Sequence, residues 1–464
     1  MDTFVYFALL TIVILFLLGT PLCVTFSIGS IAIMIHVMDF PVGNISQIFF
    51  TTISGYPMLA MPFFIFAGNL ILSSGGMGHL RDCINRLVGH LPGGMAVAIC
   101  IFAAFLGSIS GSATACLAII GTIFVPMMAA SGYPRAFASG LAVTSAGLGA
   151  VIPPSVFMII FGASNRISIA DLFAAGVGPG LLAAALMCLL TVYLSIKRGY
   201  RGGEKASPAA RLEAFRKAFP ILLMPLIVLG GIYSGIFSPT QAAAVACIYS
   251  LALGTLVYKG ITRQVFMDSL VETVRLSSMI YFLVIGGELF GRVLGYVGLP
   301  QMISQWVIDL ELGPTGFLLA VQAMLLVMGF FFSSFPMVVI VLPLFLPSVM
   351  SLGIDPALYG ALAVFCSIIG EVTPPMGPQL WIAAPICKEK IGNIMREAWA
   401  FLGVQVLALI LVTFFPQISL FLVHFEARRE KSPPGGVITR AWPRCMERNK
   451  IAKAGPKPRL LLSP

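Results

Sequence analysis

Two pairs of adjacent prolines, Pro153–Pro154 and Pro374–Pro375, stand inside apolar runs, in the stretches GAVIPPS (149–155) and GEVTPPM (370–376). No other feature restricts the fold so strongly. The chain of 464 residues is 58% hydrophobic and only 10% charged, with a mean hydropathy of +0.99, which makes it an all-α polytopic membrane protein. In lipid a backbone must satisfy its own polar groups, and a helical proline removes the hydrogen bond to the carbonyl four residues earlier. Each pair therefore breaks a helix where an exposed carbonyl costs most.

Apolar runs lie at about 4–19, 22–38, 58–72, 95–106, 115–130, 137–163, 172–196, 220–237, 240–258, 276–291, 316–332, 336–350, 357–383 and 398–423. Several reach the ~20 residues that span a bilayer. The runs at 95–106 with 115–130, and at 316–332 with 336–350, are shorter. They suit re-entrant hairpins whose tips are covered by protein or water. The first run has Asp2 and no Lys/Arg cluster at its flank, so it reads as a retained helix with its N-terminus outside, not as a cleaved signal. Nine cysteines without a C-x-x-C pair suggest buried inert thiols. The net charge of +10 comes from loops between apolar runs, the positive-inside pattern and not a nucleic-acid groove.

A shift of 221 residues superimposes two parts of the chain without a gap. Between 126 and 154 ten positions match, among them Pro126/Pro347, Gly132/Gly353, Gly149/Gly370, Pro153/Pro374 and Pro154/Pro375. Carried backwards, the same shift pairs GSISGSAT (107–114) with MGFFFSSF (328–335) and sets Ser108 opposite Gly329. FAGNL at 66–70 resembles IGGEL at 285–289 in the same order. Each half then reads as two helices, an amphipathic connector, a third helix, a hairpin, a broken helix and a last helix.

Five crossings per half invert the second repeat relative to the first. The basic residues agree. Arg81 and Arg86, the linker residues from Lys197 to Lys217, and Lys259, Arg263, Lys388, Lys390 and Arg396 fall on one side, while Asp309, Glu311 and Asp355 fall on the other. The expected divisions are a first repeat at 1–196, a basic cytoplasmic linker at 197–219, a second repeat at 220–423 and a basic tail at 424–464. That tail, with no apolar period, is expected to be disordered. It conflicts with the topology, because ten crossings starting outside leave it outside. Labelling of Cys445 from each side tests the point.

The prolines free the carbonyls of Gly149, Ala150, Gly370 and Glu371. Such groups persist only where water, protein or a cation meets them, and broken helices at the midplane ligate Na⁺ in transporters. Two symmetric Na⁺ sites are expected.

The hairpin GSISGSAT, the run GAVIPPS, DLFAAGVGPGLL (171–182), FSSFPMVVIVLPLFLP and GEVTPPM together resemble the large membrane subunit of a tripartite ATP-independent periplasmic (TRAP) transporter, over roughly residues 1–423. The resemblance implies a two-repeat elevator of the bacterial inner membrane that carries an organic acid inward on Na⁺, whether a C4-dicarboxylate, a sialic acid or another sugar acid. It also implies a periplasmic substrate-binding protein and a small four-helix membrane subunit as partners. One Na⁺ site would use Ser108, Gly149, Ile152 and Pro154, the other Gly329, Gly370, Thr373 and Met376. Ser110, Ser112 and Thr114 at one hairpin tip, and Ser333 and Ser334 at the other, would face the substrate. Small hydroxyls and half-helix ends suit a carboxylate, although serines also let helices pack closely.

Glu371, opposed in the other repeat by Ala150, is either a charge or proton site or a structural partner of an arginine or hydroxyl. Arg166 is a further candidate for attracting an anion, against an interfacial role, and Glu288 is expected to pair with Arg292 one turn on. Two other classes of function compete with this reading. An intramembrane serine protease using Ser110 lacks a general base at depth, the histidines being only His36, His79, His90 and His424. A stand-alone sodium-coupled carrier needing no binding protein differs from the tripartite system only in the family motifs.

Overall fold

The computed structural model describes residues 10–12, 14, 15, 18–200 and 202–430, with residues 308 and 426–430 described by backbone alone. Helices joined by short turns make up these residues, with no strand among them, and those as far as Val423 form one compact unit. Nine helices are long and apolar enough to cross a membrane among the described residues. They include one arm of each hairpin, Ala113–Ala130 and Ser334–Ser351, so length alone does not tell a re-entrant arm from a crossing. The run at 4–19 lies largely outside the described residues, as do 431–464.

The element order differs from the expected one. The amphipathic helix Val42–Ile53 does separate Leu22–His36 from the helix that ends at Ser73, but the long helix Arg263–Val297 of the second half has no such connector before it. Instead a short amphipathic helix precedes each hairpin, Met77–Val88 and Leu299–Asp309. In the first of these Met77, Leu80, Cys83 and Ile84 are buried, three- and four-residue spacing that leaves Arg81, Asp82 and Arg86 on the other face. The tail also departs from expectation: the last helix, Gln417–Glu430, runs on to Glu430, where the segment EARRE supplies good helix formers.

The first hairpin is Gly94–Ser110 and Ala113–Ala130, turning at Gly111 in the left-handed region, with Ser112 as N-cap of the second arm. Its counterpart is Pro314–Gly329 and Ser334–Ser351, with Ser333 at the corresponding cap position. The broken helices are Arg135–Ala146 and Leu148–Val151 with Val156–Asn165, and Pro356–Val372 with Pro378–Cys387. Both proline–proline peptide bonds are cis. Ile152 and Thr373, where the helices stop, share an extended backbone at φ −75°, ψ 123° and φ −89°, ψ 136°.

The 221-residue register therefore holds from the hairpin caps to the breaks, but it slips on both sides. Gly107, not Ser108, is the structural partner of Gly329. A Cβ on Gly107 would overlap the Cα of Gly149, and one on Gly329 would lie 2.6 Å from the Cα of Gly370. Beyond the breaks Arg166 matches Lys388, one residue off, each in the left-handed region at the end of its half-helix. A second tip one residue shorter than the first, and one extra residue after the second break, account for the two slips.

Elsewhere proline-stranded carbonyls receive donors from the other half of the chain. Pro62 cannot bond the carbonyl of Met58, which accepts from the Tyr281 hydroxyl at 3.1 Å. Pro179 strands the carbonyl of Ala175, and the Ser419 hydroxyl donates to it at 2.7 Å. Further bonds join the halves from Thr240 to the Tyr56 carbonyl, Gln405 to the Thr144 carbonyl and Arg135 to the Cys387 carbonyl. Arg198 pairs with Glu397 at 2.7 Å and its guanidinium stands 5.1 Å from the Phe137 ring centroid. Arg198→Ala is expected to lower unfolding free energy by about 1–3 kcal/mol, between an exposed and a buried pair. Glu397→Gln should add little in that background; full additivity in thermal unfolding would show that the two do not interact.

Candidate functional site

A cavity of about 370 Å³ opens between the two hairpin tips. One wall is built of Ser110, Gly111, Ser112 and Thr114 from the first tip, Ser333 and Phe335 from the second, and Val156, Phe157, Glu371 and Gln379 from the broken helices. Two other helices complete the lining, through Ile65, Gly68, Asn69 and Leu72 on one and Glu272, Leu276 and Ile280 on the other. Phe157 and Phe335, one from each half, meet with ring centroids 4.5 Å apart.

The tips are held by local chemistry. Ser112 caps the second arm by accepting from the Ala115 N–H at 3.4 Å. Ser110 contacts the Cys116 sulfur at 3.4 Å. Gly111 has no Cβ because one would lie 2.5 Å from the Pro154 carbonyl oxygen. At the second tip the backbone N–H of Ser334 donates to the carboxylate of Glu371. The other Glu371 oxygen accepts from Gln379 Nε2 at 3.2 Å, and the same amide nitrogen donates to Thr114 Oγ1 at 3.3 Å. A chain of bonds thus joins the two tips through the second broken helix.

Of the residues expected at the substrate, Ser110, Ser112, Thr114 and Ser333 line this cavity. Ser334 does not; it is buried beside the tip, with its hydroxyl next to the Glu371 carboxyl. Arg166 lies apart, on a separate cavity of about 640 Å³ with Tyr56, Ser168, Ser238 and Thr240. Glu288 does pair with Arg292, at 3.0 Å. Glu371 engages no arginine; its partners are the backbone N–H and hydroxyl of Ser334 and the amide of Gln379.

None of the eight residues assigned to Na⁺ lines the cavity. Ser108 is buried with its hydroxyl donated to the Phe105 carbonyl at 2.7 Å, and Gly149, Ile152 and Pro154 are buried around the first break. At the second break Thr373 donates its hydroxyl to Ile369 at 2.8 Å, and Met376 is 57% exposed. The Gly370 carbonyl is not free, since it accepts the Thr373 N–H at 2.9 Å; the extended turn brings that N–H back one residue short of the missing helical partner. Its second lone pair is still available. No group of three or more His, Cys, Asp or Glu gathers among the described residues, so an ion here must be held by backbone and hydroxyl oxygens, the donors a hard monovalent cation accepts. Gln379 was not found from sequence. Its only signal was a polar side chain in an apolar run, eight residues beyond Glu371.

The family model for "Tripartite ATP-independent periplasmic transporter, DctM component" matches residues 9–418. The chain belongs to this family. The C4-dicarboxylate TRAP transporter large permease protein DctM of Pseudomonas aeruginosa is 35% identical over 397 residues, covering 86% of this chain and 93% of that one. The sialic acid TRAP transporter large permease protein SiaM of Vibrio cholerae is 34% identical over 370 residues, covering 80% and 87%. Among solved structures, the YdaH transporter of Alcanivorax borkumensis shares the fold, with a TM-score of 0.55 at 13% identity, over 83% of this chain and 90% of that one. This DctM-family chain is a multi-pass protein of the inner membrane and a large permease component of a TRAP system. Such permeases work with a small membrane subunit and a periplasmic binding protein.

Proposed function

We propose that this permease imports a small organic acid by sodium-coupled, elevator-type movement, with solute handed over by a periplasmic binding protein and a small membrane subunit bracing the outer helices. The observation that carries the reading is the cavity between two broken helices whose paired prolines recur 221 residues apart. A Na⁺ at the first break would be held by Ser108, Gly149, Ile152 and Pro154, and one at the second by Gly329, Gly370, Thr373 and Met376, chiefly through backbone oxygens. Gly111 against Pro154 and Glu371 beside Gly370 link each set to the cavity, so ion and solute occupancy are coupled through shared backbone. Movement is supported by the division of the lining: the tips and breaks form one part, and two scaffold helices form the other.

Uptake of a labelled solute into proteoliposomes, with and without a Na⁺ gradient and with and without the cognate binding protein, tests the proposal. Thr373→Ala is expected to weaken the Na⁺ dependence strongly. Ser419→Ala, whose hydroxyl is committed to the Ala175 carbonyl and belongs to neither assigned set, should leave it unchanged. An unaltered sodium response in Thr373→Ala removes the second site. Equal uptake without the binding protein identifies a stand-alone carrier.

A further inference from the structure

The cavity lining holds two acidic side chains and no basic one, and one buried acceptor lacks a donor. Gln379 is 6% exposed, and its amide nitrogen faces Glu371 Oε2 and Thr114 Oγ1. A carboxylate oxygen only accepts, so the nitrogen must stand there, and Oε1 is left buried with no partner. Glu371 is 4% exposed, and its two oxygens face the Ser334 N–H and the Gln379 amide nitrogen. No Lys, Arg or His lines the cavity to balance it. The second lining carboxylate, Glu272, stands on one of the two other helices; its neighbour Arg275, 4.0 Å away, is not part of the lining.

A buried acceptor without a donor and a buried charge without a counter-charge both raise the energy of the empty cavity. We propose that the Glu371–Gln379 corner is the subsite for a positively charged, N–H-bearing end of the transported solute, which is therefore a zwitterionic organic acid. Its acid group lies toward the hydroxyls of Ser110, Ser112 and Ser333, and its cationic nitrogen toward the Glu371 carboxylate and Gln379 Oε1. The assignment deepens the permease reading and rests on it. A cationic N–H supplies both the missing charge and the missing donor. A dianion supplies neither, a quaternary nitrogen only the charge, and an alcohol only the donor.

Four probes on one skeleton separate these cases: 4-aminobutyrate, its trimethylammonium analogue, 4-hydroxybutyrate and succinate. Their binding to the purified permease complex in nanodiscs at saturating Na⁺ is read from thermal unfolding. The expected result is that 4-aminobutyrate binds more tightly than the other three by on the order of ten-fold, because the groups left unpaired by the others are buried. Glu371→Gln and Gln379→Met should each erase that preference while keeping stabilisation by Na⁺ alone. If either variant fails to fold, the wild-type ranking and the other variant decide. Equal ranking of the four, a preference for succinate or no binding by any overturns the proposal. So does a preference that survives both substitutions, which would leave Glu371 as a tie to the second hairpin only. Loss of the Na⁺ response in Glu371→Gln overturns it too, by making the corner an ion site. Uptake of 4-aminobutyrate independent of a Na⁺ gradient would defeat the sodium reading instead, and leave the ranking standing.

Discussion

Gly107→Ala and Gly329→Ala each destabilise the protein by about 1–3 kcal/mol or more, and reduce uptake with it. The reason lies in what surrounds the missing side chains. At both positions a new methyl meets backbone, the Cα of Gly149 in the first repeat and of Gly370 in the second, and not the far end of a side chain. Backbone cannot rotate away. The hairpin has to move off the broken helix, and in doing so it shifts the carbonyls beside the breaks. Gly403, in the long helix Ile391–Phe414, is the control, because its Cβ meets nothing within 4 Å. There the helix gains by relief of glycine's backbone entropy, about 0.5–1 kcal/mol. Thermal unfolding of the three variants in one detergent makes the comparison. A Gly329→Ala protein as stable as Gly403→Ala would mean that the two glycines do not touch.

Glu371→Leu carries the other large effect. It leaves a buried backbone N–H at Ser334 and the amide nitrogen of Gln379 short of their acceptor, at about 1–3 kcal/mol for each. Leucine fits the space but offers no oxygen. Glu371→Gln should fall between, since its carbonyl oxygen can still take the Ser334 N–H. Stability in the order wild type, Gln, Leu is the expected reading of melts in detergent. A leucine variant at least as stable as wild type would show that the carboxylate is buried at a net cost and kept for its chemistry alone.

Much of the architecture could be read in the chain because prolines and glycines act locally. Pro153, Pro154, Pro374 and Pro375 forbid a continuous helix whatever packs around them, so the breaks were legible, and so were the tips at Ser112 and Ser333. The register could not be carried past them. A constant shift sets Ser108 against Gly329, whereas the contact that matters is made by Gly107; only the packing of backbone on backbone reveals where an insertion fell. The cavity was half legible for a similar reason. Clustered serines and a threonine at the tips advertise themselves. Gln379 is one amide in an apolar stretch, and its meaning comes from Glu371 and Thr114, groups brought to it by tertiary structure. For Arg166 the charge was visible, but its place on a separate cavity, with its own backbone left-handed at the end of a half-helix, was not.

The hydrogen bonds from Tyr281 to Met58 and from Ser419 to Ala175 give the duplicated chain a mutual dependence. Each of those carbonyls loses its regular helical donor to a proline in the N-terminal portion and accepts a hydroxyl from the C-terminal portion. The two copies are therefore no longer interchangeable. A molecule assembled from two N-terminal portions would retain both prolines and lose both rescuers.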